Sequence, residues 1–493
     1  MERDRLLGIL NSSLKKHSGK TAIKYKDITY SYEDVRKEII NLSDEIDKLA
    51  MNVNYPIGLF FKNCPEFIVG YYALITSGTV TMLVDHSLKG EELSAIANDC
   101  HLGGFLLHKS EKDSFPIKEK CKCVLEYKNF VLMYYRNQEF NRPYEVEKLK
   151  DIISCRFSSG TTGVPKCMMY TQDNVIAAAT NWKSSINLNE EDKILCVANY
   201  THGLAFNTSM LAPLSVGAEI HMIDSLMPRQ IAKYIEKEKI TNFVAFPVLY
   251  QMMSEESLRD KYDLTTLRIC VSSGTILHAE IKQRFKENIG IYISDLYGVA
   301  ETGLCILNTS EKIDTVGKAL NGVEISIMDD DGNKFDLNEQ GQIAIKSGSM
   351  AKGYYNFPGL FEERVTVDGF YLSGDIAIMD NDGYVYVKGR KQDFIDVAGK
   401  KVDPKEIEAV LLKCAGIDDV AVFGKKNIKT KLEVIYAAIV SRAGLKKEDI
   451  IEFVQPRLAP YKIPQRIIFM DELPRNSSGK ILRRELIETV EEK

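Results

Sequence analysis

The chain alternates between helical and strand-like hydrophobic patterns from residue 21 to residue 296. Apolar residues at every third or fourth position predict helices, and short β-branched runs between polar turns predict strands. The predicted helices are Tyr32–Leu49, preceded by a Ser31/Asp34 capping-box pattern, Glu66–Thr76, Gly90–Asn98, Pro228–Lys237 and Ala279–Glu287. The predicted strands are Thr21–Tyr25, Ile28–Tyr30, Thr79–Val84, Gly104–His108, Asn242–Phe246, Leu267–Ser272 and Ile291–Leu296. This alternation is typical of parallel sheets with crossover helices, so an α/β fold is expected.

The pattern changes after about residue 311. Short strands with Asp-Gly turns between them predict an antiparallel, barrel-like part. These strands are Val323–Met328, Gly341–Lys346 and Tyr384–Lys388. The C-terminal segment that follows predicts a compact α+β unit. Its helices are Pro404–Lys413 and Lys447–Arg457, and its strands are Asp419–Phe423, Val434–Val440 and Arg466–Met470.

Length and charge narrow the classes of function. A chain of 493 residues is too long for one ordinary core, so two or more domains are expected. The net charge of −5 does not favour a nucleic-acid partner, which requires a strongly basic surface. The eighteen residues Phe67–Val84 carry no charge, but Ser77 and Gly78 interrupt them. They predict a buried helix, a turn and a buried strand rather than a membrane span.

The cysteines and the N-terminus point to the cytoplasm. The ten cysteines are scattered, without paired C-x-x-C spacing and without a nearby histidine pair, so neither a zinc site nor a disulfide framework is expected. Small buried thiols in a reducing compartment are the simpler interpretation. The segment 1–20 mixes charges among its apolar residues and lacks the apolar core of a signal peptide.

The ten residues Phe157–Lys166, F-S-S-G-T-T-G-V-P-K, carry the strongest chemical signal. They follow a strand-like stretch, Ile152–Phe157. Two glycines allow the backbone to curl, so that successive N–H groups and hydroxyls face phosphate oxygens, and Lys166 adds a positive charge. The spacing from glycine to lysine differs from that of the Walker motif.

This string resembles the phosphate loop of the acyl-adenylate-forming superfamily, which includes acyl-CoA synthetases, stand-alone adenylation domains and beetle luciferases. Four more segments resemble motifs of that family, in the expected order along nearly the whole chain. They are Tyr297–Thr302 (Y-G-V-A-E-T), Tyr371–Asp375 (Y-L-S-G-D), Gly389–Asp393 (G-R-K-Q-D) and Leu473–Leu482 (L-P-R-N-S-S-G-K-I-L). The resemblance implies an N-terminal domain over residues 1–388, built from two α/β subdomains and a distorted β-barrel at about 311–388. A hinge then joins a mobile α+β domain over residues 389–493.

The resemblance also implies a reaction. Such enzymes join a carboxylic acid to AMP, release pyrophosphate and pass the acyl group to a thiol. Lys480 is expected to bridge the carboxylate and the α-phosphate, and Glu301 to hold Mg²⁺ with help from Thr161 or Thr162. Asp375 is expected to accept hydrogen bonds from both ribose hydroxyls, because a carboxylate is an acceptor only.

The remaining expected site residues follow from the same motifs. Those expected to bind ATP or AMP are Ser158, Ser159, Gly160, Thr161, Thr162, Gly163, Lys166, Ser273, Gly274, Thr275, Tyr297, Gly298, Thr302, Asp375 and Arg390. Gln392 is expected at the hinge, where Asp or Lys is common, and Gly399 and Lys401 at a tunnel for the thiol. Ala300 stands where the family usually has a threonine that contacts the α-phosphate.

The segment Tyr200–Leu204, Y-T-H-G-L, resembles the family motif that borders the acyl group, so His202 is grouped with Lys480 as a catalytic residue. Amino-acid-activating relatives place an aspartate near here to pair with the α-amine. This chain has no acidic residue between Tyr200 and Glu219. A buried, unpaired ammonium is costly, so a fatty or aryl acid is a better candidate than an amino acid.

The thiol that accepts the acyl group can belong to CoA or to a phosphopantetheinyl carrier protein acting in trans. Lys400, Lys401 and Lys405 form a basic group that suits an acidic carrier, which favours the second. Two other functions stay open. One is an amino-acid adenylating enzyme that anchors the amine elsewhere, and the other is a catalytically silent nucleotide-binding scaffold, for which Ala300 is the only support.

Overall fold

The computed structural model describes residues 4–49, 55–135, 146–158, 165–255, 258–274, 277–391, 395–397, 400–426, 433–475 and 481–490. The chain forms two compact units. The first contains Met1–Ile325 and Ile345–Tyr371, and the second contains Ser326–Ala344 and Leu372–Lys493. The domain boundary after residue 388, expected from the sequence, stays a prediction.

Helices alternate with strands through most of the first unit, and further helices lie in the second unit. The helices are α1 Asp4–Lys16, α2 Tyr32–Asp47, α3 Pro65–Thr76, α4 Gly90–Asp99, α5 Gln172–Ser185, α6 Gly203–Phe206, α7 Ala212–Val216, α8 Pro228–Glu238, α9 Pro247–Ser254, α10 Ala279–Ile289, α11 Pro404–Leu411, α12 Lys447–Val454 and α13 Arg483–Thr489. A π-helical turn, Asn207–Leu211, joins α6 to α7. The capping box at Ser31 and Asp34 is confirmed at the start of α2.

The strands are β1 Thr21–Tyr25, β2 Ile28–Ser31, β3 Ile57–Phe60, β4 Thr81–Leu83, β5 Gly104–His108, β6 Cys121–Tyr127, β7 Phe130–Tyr135, β8 Ile152–Ser158, β9 Lys166–Thr171, β10 Lys193–Cys196, β11 Glu219–Met222, β12 Asn242–Ala245, β13 Ile269–Ser273, β14 Ile293–Val299, β15 Gly303–Asn308, β16 Lys318–Ala319, β17 Val323–Met328, β18 Gln340–Ser347, β19 Gly353–Tyr354, β20 Tyr371–Met379, β21 Val385–Arg390, β22 Ile395–Val397, β23 Lys400–Val402, β24 Asp419–Lys426, β25 Glu433–Val440 and β26 Arg466–Met470. They form five sheets in the described part of the chain.

Two large sheets form the first unit. One has nine strands in the order β16-β15-β14-β13-β12-β10-β11-β1-β2, and the other has eight in the order β19-β9-β8-β4-β3-β5-β7-β6. The run from β14 to β1 in the first sheet is parallel, as is the run from β8 to β5 in the second. Antiparallel strands complete both sheets at their edges. The predicted α/β class is therefore confirmed.

The long uncharged stretch after residue 66 lies in the core, as the sequence predicts. Helix α3 is buried on all sides, and strand β4 follows it after a turn at Ser77 and Gly78. Helix α2 packs against α3 and covers one side of it. Within the described ranges, no helix combines the length and the apolar character that crossing a bilayer requires.

The second unit contains smaller sheets. A four-stranded sheet of order β17-β18-β20-β21 corresponds to the predicted barrel-like part. In the C-terminal sheet, β25 pairs antiparallel with β24 and parallel with β26. The side chains of β24 alternate between two apolar clusters: Val420 and Val422 pack with α11 and α12, whereas Ala421 and Phe423 pack with α13.

Candidate active site

Three of the predicted motif segments, and Phe246, follow neighbouring parallel strands of the nine-stranded sheet. The acyl motif Tyr200–Leu204 comes after β10, Phe246 after β12, Gly274 after β13, and Glu301 after β14. Because the carboxyl ends of parallel strands lie at the same edge of a sheet, these segments share one edge. Such an edge is the usual place for a ligand site in an open α/β sheet.

The predicted phosphate loop connects two paired strands. Ser158 ends β8 and pairs with Lys166, the first residue of β9, so the two ends of the loop are held together. The expected contacts at Ser159, Gly160, Thr161, Thr162 and Gly163 lie outside the described residues, and of Ser158 only the backbone is described. The Lys166 ammonium lies 5.1 Å from the centroid of the Tyr354 ring, within the range of a cation–π contact.

Tyr354 connects the phosphate loop to the predicted metal ligand. Its hydroxyl donates a hydrogen bond to Oε1 of Glu301, with an O···O distance of 2.5 Å. Burial raises the pKa of the Tyr354 hydroxyl, and the Glu301 carboxylate raises it further, so the hydroxyl remains a proton donor at neutral pH. The structure therefore brings Lys166 and Glu301, two residues expected from separate motifs, to the same tyrosine.

The arrangement of Glu301 suits a magnesium ion that is also held by phosphates. Tyr354 holds one carboxylate oxygen, which orients the other, and the Glu301 side chain is only half-buried. In the described ranges, no cluster of three His, Cys, Asp or Glu side chains could hold a metal. A single carboxylate completed by substrate phosphates and water is a common way to bind Mg²⁺.

Close backbone packing fixes the turn that carries Glu301. The pairing of β14 with β15 shifts register between Tyr297 and Gly298. A Cβ atom at Gly298 would lie 2.2 Å from the carbonyl oxygen of Gly303, so only glycine fits there. Tyr297, the predicted adenine neighbour, is half-buried at the end of β14.

Ala300 and Thr302 flank Glu301 in different environments. Ala300 is exposed, and its carbonyl oxygen accepts a hydrogen bond of 2.7 Å from the Tyr170 hydroxyl. Thr302 is fully buried, and its hydroxyl lies 3.0 Å from the sulfur of Cys305. The structure thus gives the Thr302 hydroxyl a partner inside the protein, and its predicted contact with the nucleotide stays a prediction.

The S-S-G stretch at the end of β13 lies beside the acyl motif. Gly274 has φ of +98°, and a Cβ there would lie 3.5 Å from the ring of Phe246. The ring of His202 meets the same Phe246 edge-on, with centroids 6.4 Å apart. The Ser273 hydroxyl donates to the carbonyl oxygen of Leu296 at 2.7 Å, which joins this stretch to β14. Thr275 lies outside the described residues.

His202 occupies the N-cap position of α6. Burial lowers the pKa of its imidazole, and the carboxylate of Asp85 only partly opposes that effect. The ring is therefore neutral at neutral pH and offers one donor and one acceptor nitrogen. Tyr200, in the same motif, is fully buried, and its backbone N–H donates to Oδ1 of Asn63 at 2.9 Å.

In the second unit, Asp375 and Arg390 form one pair. They are direct cross-strand partners of β20 and β21, and Nε of Arg390 lies 3.2 Å from Oδ1 of Asp375. The backbone N–H of Asp375 donates to the Ser373 hydroxyl at 3.1 Å. The structure thus joins two residues that the sequence assigned to the nucleotide from separate motifs.

The other expected residues of this unit lie mostly outside the described ranges. This applies to Lys480, Gln392 and Gly399, while Lys401 is described only as backbone in the short hairpin of β22 and β23. The ends of the predicted terminal loop are described, however. Arg475 and Ile481 form an antiparallel bridge, so the segment that carries Lys480 begins and ends at paired backbone.

Sequence reasoning missed Tyr354 and Arg156. Tyr354 reaches Glu301 because β19 pairs with β9, a contact between distant segments that no local pattern signals. Arg156 had a signal, because it is a charged residue inside the otherwise apolar stretch that leads into the phosphate loop. It is 5% exposed and stacks on the ring of Tyr170.

Comparisons with known proteins agree with these observations. Residues 10–355 match the family model described as AMP-binding enzyme, and residues 406–480 match the AMP-binding enzyme C-terminal domain. The chain is 25% identical to a long-chain-fatty-acid–CoA ligase of Bacillus subtilis, over 98% of this chain and 94% of that protein. It is 26% identical to 4-coumarate–CoA ligase 1 of Arabidopsis thaliana, over 93% and 87%. The solved structure of o-succinylbenzoate CoA synthetase (MenE) from Bacillus subtilis, with ATP and magnesium ion, has a TM-score of 0.82 at 21% identity, over 97% and 98% of the chains, and therefore shares the fold.

Proposed function

The chain belongs to the family of AMP-binding enzymes, and we propose that it activates a carboxylic acid with ATP and transfers the acyl group to the thiol of CoA. The family match and the two ligase relatives confirm the reaction class that the motifs predict, an AMP-forming ligase of an acid and a thiol. Within this chain, the proposal rests above all on the contacts that bring Lys166 and Glu301 to Tyr354.

In the first step, a carboxylate oxygen of the acid attacks the α-phosphorus of ATP, and pyrophosphate leaves with the electron pair of the broken P–O bond. Negative charge gathers on the phosphates, so the step requires fixed positive charge and oriented donors. Lys166 provides a cation at the end of the phosphate loop, and Lys480 would bridge the two reacting anions. When bound, Mg²⁺ would neutralise phosphate oxygens, and Glu301, oriented by Tyr354, is the residue that would hold it.

The ribose contact would come from Asp375. Its carboxylate accepts a hydrogen bond from Nε–H of Arg390, and a carboxylate has about four acceptor positions, enough for two hydroxyl donors as well. Arg390 has four further N–H groups on its two terminal nitrogens, which suit a phosphate or ribose oxygen. Because ribose is common to ATP, AMP and the acyl-adenylate, this pair would serve both steps.

In the second step, the thiol sulfur attacks the acyl carbonyl carbon, the thiol proton is released, and AMP leaves. CoA is the preferred acceptor because both relatives are named CoA ligases. A phosphopantetheinyl carrier protein, favoured by the lysine-rich segment 400–405, is the alternative. Neutral His202 would border the acyl group near the reacting carbonyl.

The acid itself would lack an α-amino group. Fatty and aryl acids are what the two relatives are named for, and the acyl motif of this chain contains no carboxylate that could pair with an ammonium. We therefore infer an aliphatic or aryl acid as the substrate.

The proposal is tested by ATP–pyrophosphate exchange over a panel of aliphatic, aryl and amino acids, followed by thioester detection with CoA or a carrier protein. We expect exchange with at least one aliphatic or aryl acid and AMP formation when CoA is added. Exchange with amino acids only, or release of ADP in place of AMP, would contradict the proposal. Glu301→Gln is the matched control, because it keeps shape and removes the charge that would hold the metal.

A further inference from the structure

Arg156 is a buried cation in the middle of a sheet. It lies in β8, where its backbone pairs with Leu83 of β4 and Met168 of β9, and it is 5% exposed. Its guanidinium carbon lies 3.9 Å from the centroid of the Tyr170 ring and 5.3 Å from that of Phe206. In the described part of the chain, no carboxylate forms an ion pair with it. Burying a charge without an opposite charge is unfavourable.

The surroundings of Arg156 place it beside the proposed acyl site. The hydroxyl of Tyr170, on which the guanidinium stacks, donates to the carbonyl oxygen of Ala300, next to the proposed metal ligand. Phe206, the other ring, belongs to α6, whose N-cap is His202. A Cβ at Gly203 would lie 2.9 Å from Nη1 of Arg156, so the guanidinium fills the position of the missing side chain at the start of that helix.

Asn207 is a buried polar side chain one helical turn after Gly203, the residue that the guanidinium contacts. It is 1% exposed, and neither its Nδ2 nor its Oδ1 has a hydrogen-bond partner among the described residues. It lies one helical turn after Gly203, and its backbone N–H donates a hydrogen bond to the carbonyl oxygen of Gly203. Residues four apart share a helix face, and side chains lean toward the N-terminus, so the amide points toward the turn that Arg156 contacts.

The π-helical turn that begins at Asn207 explains how a polar side chain comes to be buried there. A π-turn inserts one residue into a helix and shifts the residues that follow around the axis, and such turns are frequent at functional sites. The Asn207 amide lies 4.0 Å from the position of a Cβ at Gly303, which follows the turn of Glu301. The amide is therefore enclosed between the acyl motif and the turn that carries the proposed metal ligand.

We propose that Arg156 and Asn207 form an anion-binding end of the acyl site, which selects acids that carry a second carboxylate. The proposal rests on the proposed function and defines its substrate class: aliphatic or aryl dicarboxylic acids, of which one carboxylate reacts with ATP. The second carboxylate accepts charge-assisted hydrogen bonds from the guanidinium and from the Asn207 amide. It supplies an opposite charge to the buried guanidinium and an acceptor to Nδ2 of Asn207.

Three matched pairs of acids test this selection: butanoic and butanedioic, octanoic and octanedioic, and benzoic and benzene-1,4-dicarboxylic acid. The readout is kcat/KM for each acid in ATP–pyrophosphate exchange at saturating ATP and Mg²⁺. A site built to hydrogen-bond a polar group discriminates strongly against an analogue that lacks it, so we expect the wild type to favour the diacid of at least one pair by about 10²-fold or more. In Arg156→Met, kcat/KM for that diacid should fall about 10²–10³-fold, and the ratio of diacid to monoacid should fall to about one.

A second variant tests the same site while keeping the Arg156 guanidinium. Asn207→Asp places a carboxylate one helical turn from Gly203, which the guanidinium contacts. There it would compete with the second carboxylate of the substrate and raise KM for the diacid by about tenfold or more. The same variant should raise Tm, because it supplies a partner to a buried charge. Arg5→Met, which removes an exposed arginine of α1, is the control and should leave the diacid-to-monoacid ratio unchanged.

Thermal shift separates selection from folding. Arg156→Met should keep the rise in Tm caused by ATP and lose the rise caused by the diacid. If the wild type prefers monoacids, or if Arg156→Met lowers kcat/KM equally for both members of each pair, the inference is wrong while the proposed function stands. Absence of exchange with every acid would overturn both.

Discussion

Replacing Tyr354 with phenylalanine isolates the hydrogen bond that orients Glu301. The ring remains, so the contact with the Lys166 ammonium at 5.1 Å is preserved, and only the 2.5 Å bond to the carboxylate is lost. A hydrogen bond to a charged group contributes about 1.5–3 kcal/mol. Glu301 is half-buried, so water replaces part of the bond, and the lower end of that range, about 1.5 kcal/mol, applies. That loss corresponds to about a tenfold change in an equilibrium constant.

We therefore expect Tyr354→Phe to raise the Mg²⁺ concentration for half-maximal ATP–pyrophosphate exchange about tenfold, within the 10–100-fold range typical when a partner of a metal ligand is removed. At saturating Mg²⁺ the rate should recover to within about threefold, because no group that contacts the reacting atoms has changed. Glu301→Gln should raise the requirement further, since a neutral amide is a poor ligand for a hard cation.

The neighbouring tyrosine provides a matched control. Tyr355 is also buried, but its hydroxyl bonds to Nδ1 of His101 at 2.9 Å, away from Glu301. Tyr355→Phe should cost a comparable amount of stability and leave the Mg²⁺ dependence unchanged. If both phenylalanine variants titrate with Mg²⁺ like the wild type, Tyr354 does not orient a metal ligand, and the assignment of Glu301 has to be abandoned or moved to Thr161 or Thr162.

Three further predictions concern the second unit. Lys480→Ala should lower the rate of adenylation about 10²–10³-fold or more, while ATP binding, measured by thermal shift, is retained. Thioester formation from supplied acyl-AMP should survive, and normal pyrophosphate exchange would disprove the bridging role. Asp375→Ala should weaken the binding of ATP and of AMP by a similar factor in calorimetric titration, because ribose is common to both. Weaker binding of ATP alone would argue against a ribose contact. Gln392→Pro fixes φ and removes an N–H at the predicted hinge, so adenylation should stay measurable while thioester formation is blocked; equal loss of both steps would indicate misfolding instead.

Much of the fold follows from local pattern. Strands β5 and β26 were predicted with the bounds that they have, because β-branched and aromatic runs between polar turns leave little ambiguity. Helix α2 was predicted two residues too long, since helix ends are weakly encoded. The hairpin of β6 and β7 was missed. Its turn contains Lys128 at φ of +49°, a conformation that lysine sequences do not signal.

In the candidate site too, features within one segment were predictable from the sequence and contacts between distant segments were not. Roles for residues within a motif, such as Glu301 or Asp375, could be predicted because each motif carries its own chemistry. Partners from other segments could not be assigned, because the approach of Tyr354 to Glu301 depends on the register of β19 against β9. The burial of the Asn207 amide without a described hydrogen-bond partner depends on a π-helical turn, which the sequence does not signal.

Formation of an acyl-adenylate by this chain can be observed by mass spectrometry of a single turnover. Purified protein is mixed with ATP, Mg²⁺ and the panel of carboxylic acids, without any thiol, and the reaction is then quenched by lowering the pH. We expect one acyl-AMP and one pyrophosphate per active site for an aliphatic or aryl acid, and none with Lys480→Ala. ATP that stays intact with every acid, or cleavage to ADP and phosphate, would contradict this expectation.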